Sequence, residues 1–299
     1  MDVSVIIVNY NTFDLIVECI KSIYEKTIGV EFEIIVVDNS STDKRIHQLN
    51  DTFPNIVLIA LEANIGFGRA NNEGIKVAIG RNIFFLNSDT KLINNAIKIL
   101  SNNLDSKKYV GACGGNLFNE DMMPTHSYRL LFPSIACELN DLLFRLPETL
   151  LYGKSPQHNF TNKSKNVAYI TGADLMIKKS IIDEIGCFSP MFFMYYEEAD
   201  LCYRIIKAGL EVISVPEAKI QHLEGKSFGN KKVNQNRINL SEKSRIIFYS
   251  KNYSKTYCII ANNIYLTNII LRIFVLSILR KDSDNYWKSI LKGHKSAKL

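Results

Sequence analysis

The sequence has no Cys-x-x-Cys pair, no internal repeat and no low-complexity segment. Its six cysteines (Cys19, Cys113, Cys137, Cys187, Cys202, Cys258) keep no repeating spacing, and most sit in apolar runs. They read as reduced core residues of a cytoplasmic protein, with no disulfide framework. Glycine is missing from "NYNTFD", the turn after the first apolar run. A dinucleotide-binding Rossmann fold needs its phosphate cradle there, which speaks against a nicotinamide-dependent oxidoreductase. A nucleotidyltransferase would need a glycine- and basic-rich loop at the same place. No basic n-region precedes "VSVIIV", so no signal peptide is expected. The apolar stretch Tyr257 to Leu279 is long enough to span a bilayer, but Asn262, Asn263, Asn268 and Arg272 interrupt it. It is expected to pack on the core or to lie in a membrane interface.

What is present suits a globular chain. With 299 residues, 46% hydrophobic and 22% charged, there is material for one large or two smaller domains with a real core. The net charge of +6 is uneven: from Arg280 to Leu299 six Lys/Arg face two acids, Asp282 and Asp284. A basic tail beside an apolar segment fits an anionic membrane surface and a solvated end equally well.

The first half alternates β-branched runs (3–8, 32–37, 55–60, 82–86) with segments of helical spacing such as Ile16, Ile20 and Ile23. That pattern predicts an α/β fold with a mostly parallel sheet covered on both faces. Ligands bind such sheets beyond the carboxyl ends of the strands. All four runs are followed by polar or glycine-rich stretches: "NYN", "DNSSTD", "LEANIGFGRANNEG" and "NSDT". Residues 120–165, with four prolines, read as an irregular substrate-facing insertion, and two helical stretches are expected to close the chain.

Chemistry can be assigned to some of these positions. Asp38 ends a buried run and could accept from a nucleobase or ribose, since Ser41, Thr42 or Asp43 can supply the following helix cap. Gly66, Gly68 and Gly74, with Asn64, Asn71 and Asn72, offer close backbone approach to a phosphate or sugar, or simply a tight turn before a helix. Asp89 and His222 are of the types that hold a divalent cation, although a lone His is more often structural. The loop with Gly225, Lys226, Ser227, Lys231 and Lys232 could fold over a diphosphate. In "FFMYYEEADLCYR", Phe192 to Arg204, helical spacing puts Glu197, Asp200 and Arg204 on one face as surface ions. Glu198 falls beside Leu201, Cys202 and Ile205. A carboxylate in apolar surroundings has a raised pKa and suits a general base, whereas an acid at a helix N-terminus can also be merely stabilising.

Seven segments in order, "VSVIIVNYN", "VVDNSSTD", "NIGFGRANNEGI", "FLNSD", "TGADLMIKKS", "FFMYYEEADLCYRIIKAG" and "QHLEGKSF", resemble the family 2 inverting glycosyltransferases, in particular the bacterial rhamnosyltransferase-like branch. The resemblance implies a GT-A fold, Rossmann-like, with a C-terminal helical extension. Its parts would be a nucleotide-sugar-binding half (1–115), an acceptor-binding half carrying the base (116–230) and a helical, membrane-associated extension (231–299). It implies that Val8, Asn9, Tyr10, Asp38, Asn64, Gly66, Asn71, Ser88 and Asp89 line the nucleotide-sugar. Tyr195, Tyr196 and Glu197 would form the sugar platform, Lys226 and Ser227 the diphosphate loop, and Asp89 and His222 the Mn²⁺ or Mg²⁺ site. Glu198 matches the general base. Two positions depart from the family pattern: Asn87 stands where stricter members carry a first acid, and Glu198 replaces the more usual Asp.

The implied reaction is inverting transfer of a sugar, rhamnose by resemblance, from a dTDP- or UDP-linked donor in surface polysaccharide synthesis. Glucosyl, galactosyl or galactofuranosyl transfer is the alternative within the family, and a catalytically inactive sugar-binding module a further one. The implied acceptor is a saccharide on a polyprenyl diphosphate. Peripheral contact with the inner leaflet of the cell membrane is expected, with no nucleic-acid partner. A homodimer through the C-terminal helices is compatible with the sequence.

Overall fold

The computed structural model describes residues 1–153, 157–223, 234–279 and 284–297. The chain divides into two compact units. The first comprises Met1–Leu130, Gln157–Pro190 and Glu197–Gly229. Its opening strand β1 (Val3–Asn9) is buried at every position, as a run of Val and Ile without alternation requires. Helix α1 (Phe13–Lys26) buries Ile16, Cys19, Ile20 and Ile23 at helical spacing. Strand β2 (Phe32–Asp38) pairs parallel with β1, setting Asp38 opposite Asn9. A 3-10 turn, Lys44–Gln48, follows; Asp43 caps it by accepting from the Arg45 amide. It runs into α2 (Leu49–Thr52), and β3 (Val57–Ala60) then adds parallel to β2.

Helix α3 (Phe67–Ile75) leads back to β4 (Asn82–Leu86), parallel to β1 on its other side. Strand β5 (Thr90–Leu92), α4 (Ala96–Ser106) and β6 (Val110–Phe118) continue the unit. After β7 (Tyr128–Arg129) the chain forms α5 (Ile135–Leu142) and α6 (Leu146–Tyr152) of the second unit. The first unit resumes with β8 (Lys165–Asn166), β9 (Tyr169–Ile170), β10 (Asp174–Lys178), α7 (Lys179–Ile185), α8 (Glu197–Lys207) and β11 (Glu211–His222). The main sheet has the order β3-β2-β1-β4-β10-β6-β11-β5, with β8 beside β11 and a separate β7-β9 pair. Pairing is parallel from β3 to β4; β10 then runs antiparallel between β4 and β6, so the sheet is mixed.

The second unit comprises Leu131–Pro156, Met191–Tyr196 and Asn230–Leu299. The expectation of an irregular 120–165 is corrected here, because α5 and α6 occupy part of it. Its prolines sit where helices tolerate them: Pro133 precedes the Ser134 cap of α5, and Pro147 lies in the first turn of α6. Three helices rather than two close the described chain: α9 (Gln235–Asn252), α10 (Lys255–Ile278) and α11 (Asp284–Ala297). They are tied by buried polar contacts. Arg245 donates to Glu138 at 2.7 Å and lies 3.6 Å from the Tyr265 ring centroid. Tyr249 donates to the same carboxylate at 2.8 Å. Glu242 is approached by the Tyr265 hydroxyl and lies 3.0 Å from His294 Nδ1.

Candidate active site

At the carboxyl ends of β1, β2 and β4 a continuous hydrogen-bond chain ties three loops together. Asn9 Nδ2 donates to Asp38 Oδ1 at 2.8 Å and to Ser41 Oγ at 3.0 Å. Thr12 Oγ1 donates to Asn9 Oδ1 and lies 2.8 Å from Ser88 Oγ. The Ser41 amide and hydroxyl donate to Asp38, while Ser41 Oγ accepts from the Asn11 amide. Asp38 is thus buried and held rigid, with its carboxylate engaged by its own loop. Val8 is buried one residue before the end of β1, and the Tyr10 ring is exposed just beyond it.

The glycine-rich segment is pinned from the next loop. Asn39 Nδ2 donates to Asn64 Oδ1 at 3.0 Å, and Asn39 Oδ1 accepts from the Ile65 amide at 2.9 Å. Asn64 Oδ1 also accepts from the Gly66 amide. Gly66 caps α3 with φ of 92°, a left-handed conformation that favours glycine. The expected tight turn before a helix is therefore present. Asn71 is buried and donates back to the Phe67 carbonyl at 3.1 Å.

Asp89 and His222, far apart in sequence, meet because β5 pairs antiparallel with β11 and sets Thr90 opposite His222. His222 Nε2 lies 3.2 Å from Asp89 Oδ1, and the Leu223 amide donates to the Asp89 carbonyl. Asn87 Oδ1 is buried without a hydrogen-bond partner among the described residues. A carboxylate paired with an imidazole is a donor set that suits a divalent cation, and the Asn87 amide stands two residues before the carboxylate. Among the described residues no three His, Cys, Asp or Glu side chains stand together as a metal cage.

The acids of α8 are arranged differently from the sequence expectation. Glu197 and Asp200, expected at the surface, are buried, while Glu198 is half-buried. Helical spacing does put Glu197 and Asp200 on one face, but which face of α8 is covered depends on what packs over it; the chain enters α8 through Tyr195 and Tyr196, both in the left-handed region at φ of 71° and 68°. Asp200 does pair with Arg204, at 3.1 Å, and Arg204 also donates to the carbonyls of Ile185 and Gly186 at 2.9 Å. Burial pushes the Glu197 carboxyl well above the usual range, reinforced by the neighbouring Glu198, and Glu197 Oε2 has no hydrogen-bond partner among the described residues. Burial also raises Glu198, partly offset by the backbone amides of Glu198 and Ala199 and by the charge of Arg129. Glu198 backs onto Gly172, where an added Cβ would stand 3.9 Å from its side chain.

Tyr195 and Tyr196 belong to the second unit. There the Tyr195 hydroxyl accepts from Arg237 at 2.9 Å, and the Tyr196 ring lies 5.9 Å from Phe248. Lys226 and Ser227 lie outside the described residues. Sequence reasoning missed Thr12, Asn39 and Ser41 as parts of the scaffold and Arg129 as a charge acting on Glu198. The first three follow strand ends directly, and that position was the available signal. Nothing local marks Arg129.

Residues 4–199 match the family described as Glycosyl transferase family 2. A hexosyltransferase of low-salt glycan biosynthesis, Agl10 of Haloferax volcanii, is 31% identical over 219 residues, covering 71% of this chain and 64% of that protein. The chain thus spans somewhat less than two thirds of that relative's length. An N-acetylglucosaminyl-diphospho-decaprenol L-rhamnosyltransferase of Mycobacterium tuberculosis is 25% identical over 237 residues, covering 74% of this chain and 75% of that one. Among solved structures, the mannosyltransferase PcManGT of Pyrobaculum calidifontis, bound to GDP-Man and Mn²⁺, superposes with a TM-score of 0.60 at 15% identity, over 99% of this chain and 85% of that one. That likeness bears on the fold, which is GT-A. With more than half of its length matched by the family model, the chain belongs to glycosyl transferase family 2.

Proposed function

We propose that this chain is an inverting transferase that moves a sugar from a nucleoside-diphosphate sugar to a hydroxyl of a saccharide acceptor in surface polysaccharide synthesis. The observation that carries the reading is Glu198, a carboxylate raised by burial at the start of α8. The same unit holds the Asn9–Asp38–Ser41 scaffold and the Asp89–His222 pair. Glu198 takes the proton of the acceptor hydroxyl as that oxygen attacks the anomeric carbon. The carbon–oxygen bond to the diphosphate breaks with its electron pair going to the diphosphate, and attack from the opposite face inverts the configuration. Asp38 and the Asn64–Gly66 turn orient the nucleotide, with Val8, Asn9, Tyr10, Asn71 and Ser88 around it. Glu197, Tyr195 and Tyr196 are assigned to the acceptor, and Lys226 and Ser227 to the diphosphate.

Asp89 and His222 would hold a divalent cation. When bound, it supplies positive charge against the leaving diphosphate. Rhamnose as the donor sugar and a polyprenyl-diphosphate-linked acceptor are supported by the mycobacterial relative's name. A UDP-linked hexose is the second reading within the family.

Thermal unfolding with dTDP, UDP, GDP or NAD, each with and without Mn²⁺, tests the proposal. Metal-dependent stabilisation by dTDP or UDP is expected, of about 2.7 kcal/mol at a hundredfold excess over Kd. Asp89→Asn and His222→Ala should remove its metal dependence. Glu198→Gln should keep the nucleotide shift while transfer falls roughly 10²–10⁴-fold. Stabilisation by NAD alone, or by no nucleotide, would overturn the reading; so would near-parental transfer by Glu198→Gln for the assigned base.

A further inference from the structure

The arginines of the first unit are Arg45, Arg69, Arg81, Arg129 and Arg204. All but Arg129 are engaged. Arg45 pairs with Asp14 and Asp43, and Arg81 with Asp2 and Asp105. Arg69 donates to the Pro190 carbonyl, and Arg204 to Asp200 and to the carbonyls of Ile185 and Gly186. Arg129, the last residue of β7, is half-buried, and its side chain makes no hydrogen bond, ion pair or ring contact among the described residues. A guanidinium drawn this far from water loses hydration that acceptors or an opposite charge ordinarily replace.

Strand pairing carries that charge towards Glu198. β7 pairs antiparallel with β9, setting Arg129 opposite Tyr169, and the Ala168 amide donates to the Arg129 carbonyl. The pairing continues past β9, where the Thr171 amide donates to the Ser127 carbonyl. Gly172 comes next, and the Glu198 side chain lies against it, 3.9 Å from where a Cβ would stand. Helix α8 itself packs on β9. The titratable and charged groups around Glu198 are thus Glu197 and Cys202 on its own helix and Arg129 from β7. The Cys202 thiol, pushed up to about 12 by burial, stays neutral. Burial disfavours the Glu198 carboxylate, and what opposes burial is the pair of amides of Glu198 and Ala199 together with the charge of Arg129.

We propose that Arg129 is a positioning residue for the base: its unshared guanidinium charge keeps Glu198 ionised in a site that burial alone would neutralise. The charge relation belongs to the fold; its use in proton transfer rests on the transferase reading. A general base has to be ionised before the acceptor hydroxyl arrives. Desolvation favours the neutral acid, whereas a cation in the same low-dielectric setting favours the carboxylate. Arginine suits the task because it does not give up its own proton. No direct ion pair joins Arg129 to Glu198 among the described residues. A bidentate pair would hold the carboxylate too firmly for it to accept a proton readily; a charge acting from a distance leaves it open to a hydroxyl.

Carboxyl NMR of the full chain, made with isotope-labelled glutamate, follows Glu198 directly, its resonance identified by its loss in E198Q. In R129M the Glu198 titration should move to higher pH. In R129K, which keeps the charge, it should stay near the parental position. The acid limb of the transfer profile should move with the titration, so that R129M loses transfer on the acid side and recovers most of it on the basic side. Nucleotide-induced stabilisation should be parental in both variants, which reports an intact first unit. An unmoved Glu198 titration in R129M would overturn the inference, as would a loss of transfer equal at every pH. So would a titration displaced alike in R129M and R129K, since packing and not charge would then be responsible. If the parent itself shows no transfer while R129M still shifts the Glu198 titration, the transferase reading falls and the charge relation stands.

Discussion

Two adjacent carboxylates open α8, and solvent access separates them. Glu198 keeps part of its surface in water and accepts from backbone amides, whereas Glu197 is enclosed and has an oxygen with no partner among the described residues. The negative charge of Glu198 adds to the effect of burial in favouring the protonated form of Glu197. A carboxylate whose folded pKa is raised contributes stability that is present below its unfolded value, near about 4.3. That contribution is lost as pH rises through the folded value. Glu197→Gln should therefore raise Tm relative to the parent at neutral pH, with the gain vanishing below the ordinary carboxylate range. A gain of about 1 kcal/mol corresponds to roughly 2–4 °C for a unit of this size. Differential scanning calorimetry across pH checks this, and a gain that does not change with pH would show that Glu197 is ionised in the fold.

Among the elements, α3 shows how packing sets a loop. It lies on the face of β1 and β2 opposite α1, and Gly74 permits the approach: a Cβ there would stand 2.7 Å from Ile6 Cγ2 and 3.3 Å from Val37 Cγ2. These contacts are with core side chains, which have little room to yield. Gly74→Ala should cost about 1–3 kcal/mol by overpacking, read as a lower urea midpoint at unchanged slope. Because Gly66 and the Asn39–Asn64 clasp stand at the N-terminal end of the same helix, the variant should also bind nucleotide more weakly. Parental affinity together with lost stability would show that the turn is held by the clasp alone.

At the scale of the whole chain there are two compact units, and each should respond to its own perturbation. Glu138→Gln leaves Arg245 buried without its charged partner, a loss of roughly 3–5 kcal/mol of the kind that follows from breaking a buried pair. Calorimetry should resolve an early transition from the second unit, while the nucleotide-shifted transition of the first stays in place. A single transition moving as one would show that the units melt together. The four leading strands and the polar stretches at their ends were legible in sequence because periodicity and strand-end chemistry are local properties of neighbouring residues. The seven motif segments carried the family and the GT-A fold for the same reason. Other features needed distant parts of the chain to meet. The antiparallel pairing of β5 with β11 joins Asp89 to His222. Asn39 reaches across to Asn64, and Arg129 comes close enough to act on Glu198. What packs over α8 decides that Glu197 is buried and Glu198 only half-buried, the reverse of what spacing suggests. Residues 120–165 read as irregular in sequence, whereas the folded chain forms α6 there; whether leucines are covered depends on which elements pack over them, and only the folded chain leaves Leu150 and Leu151 in the open.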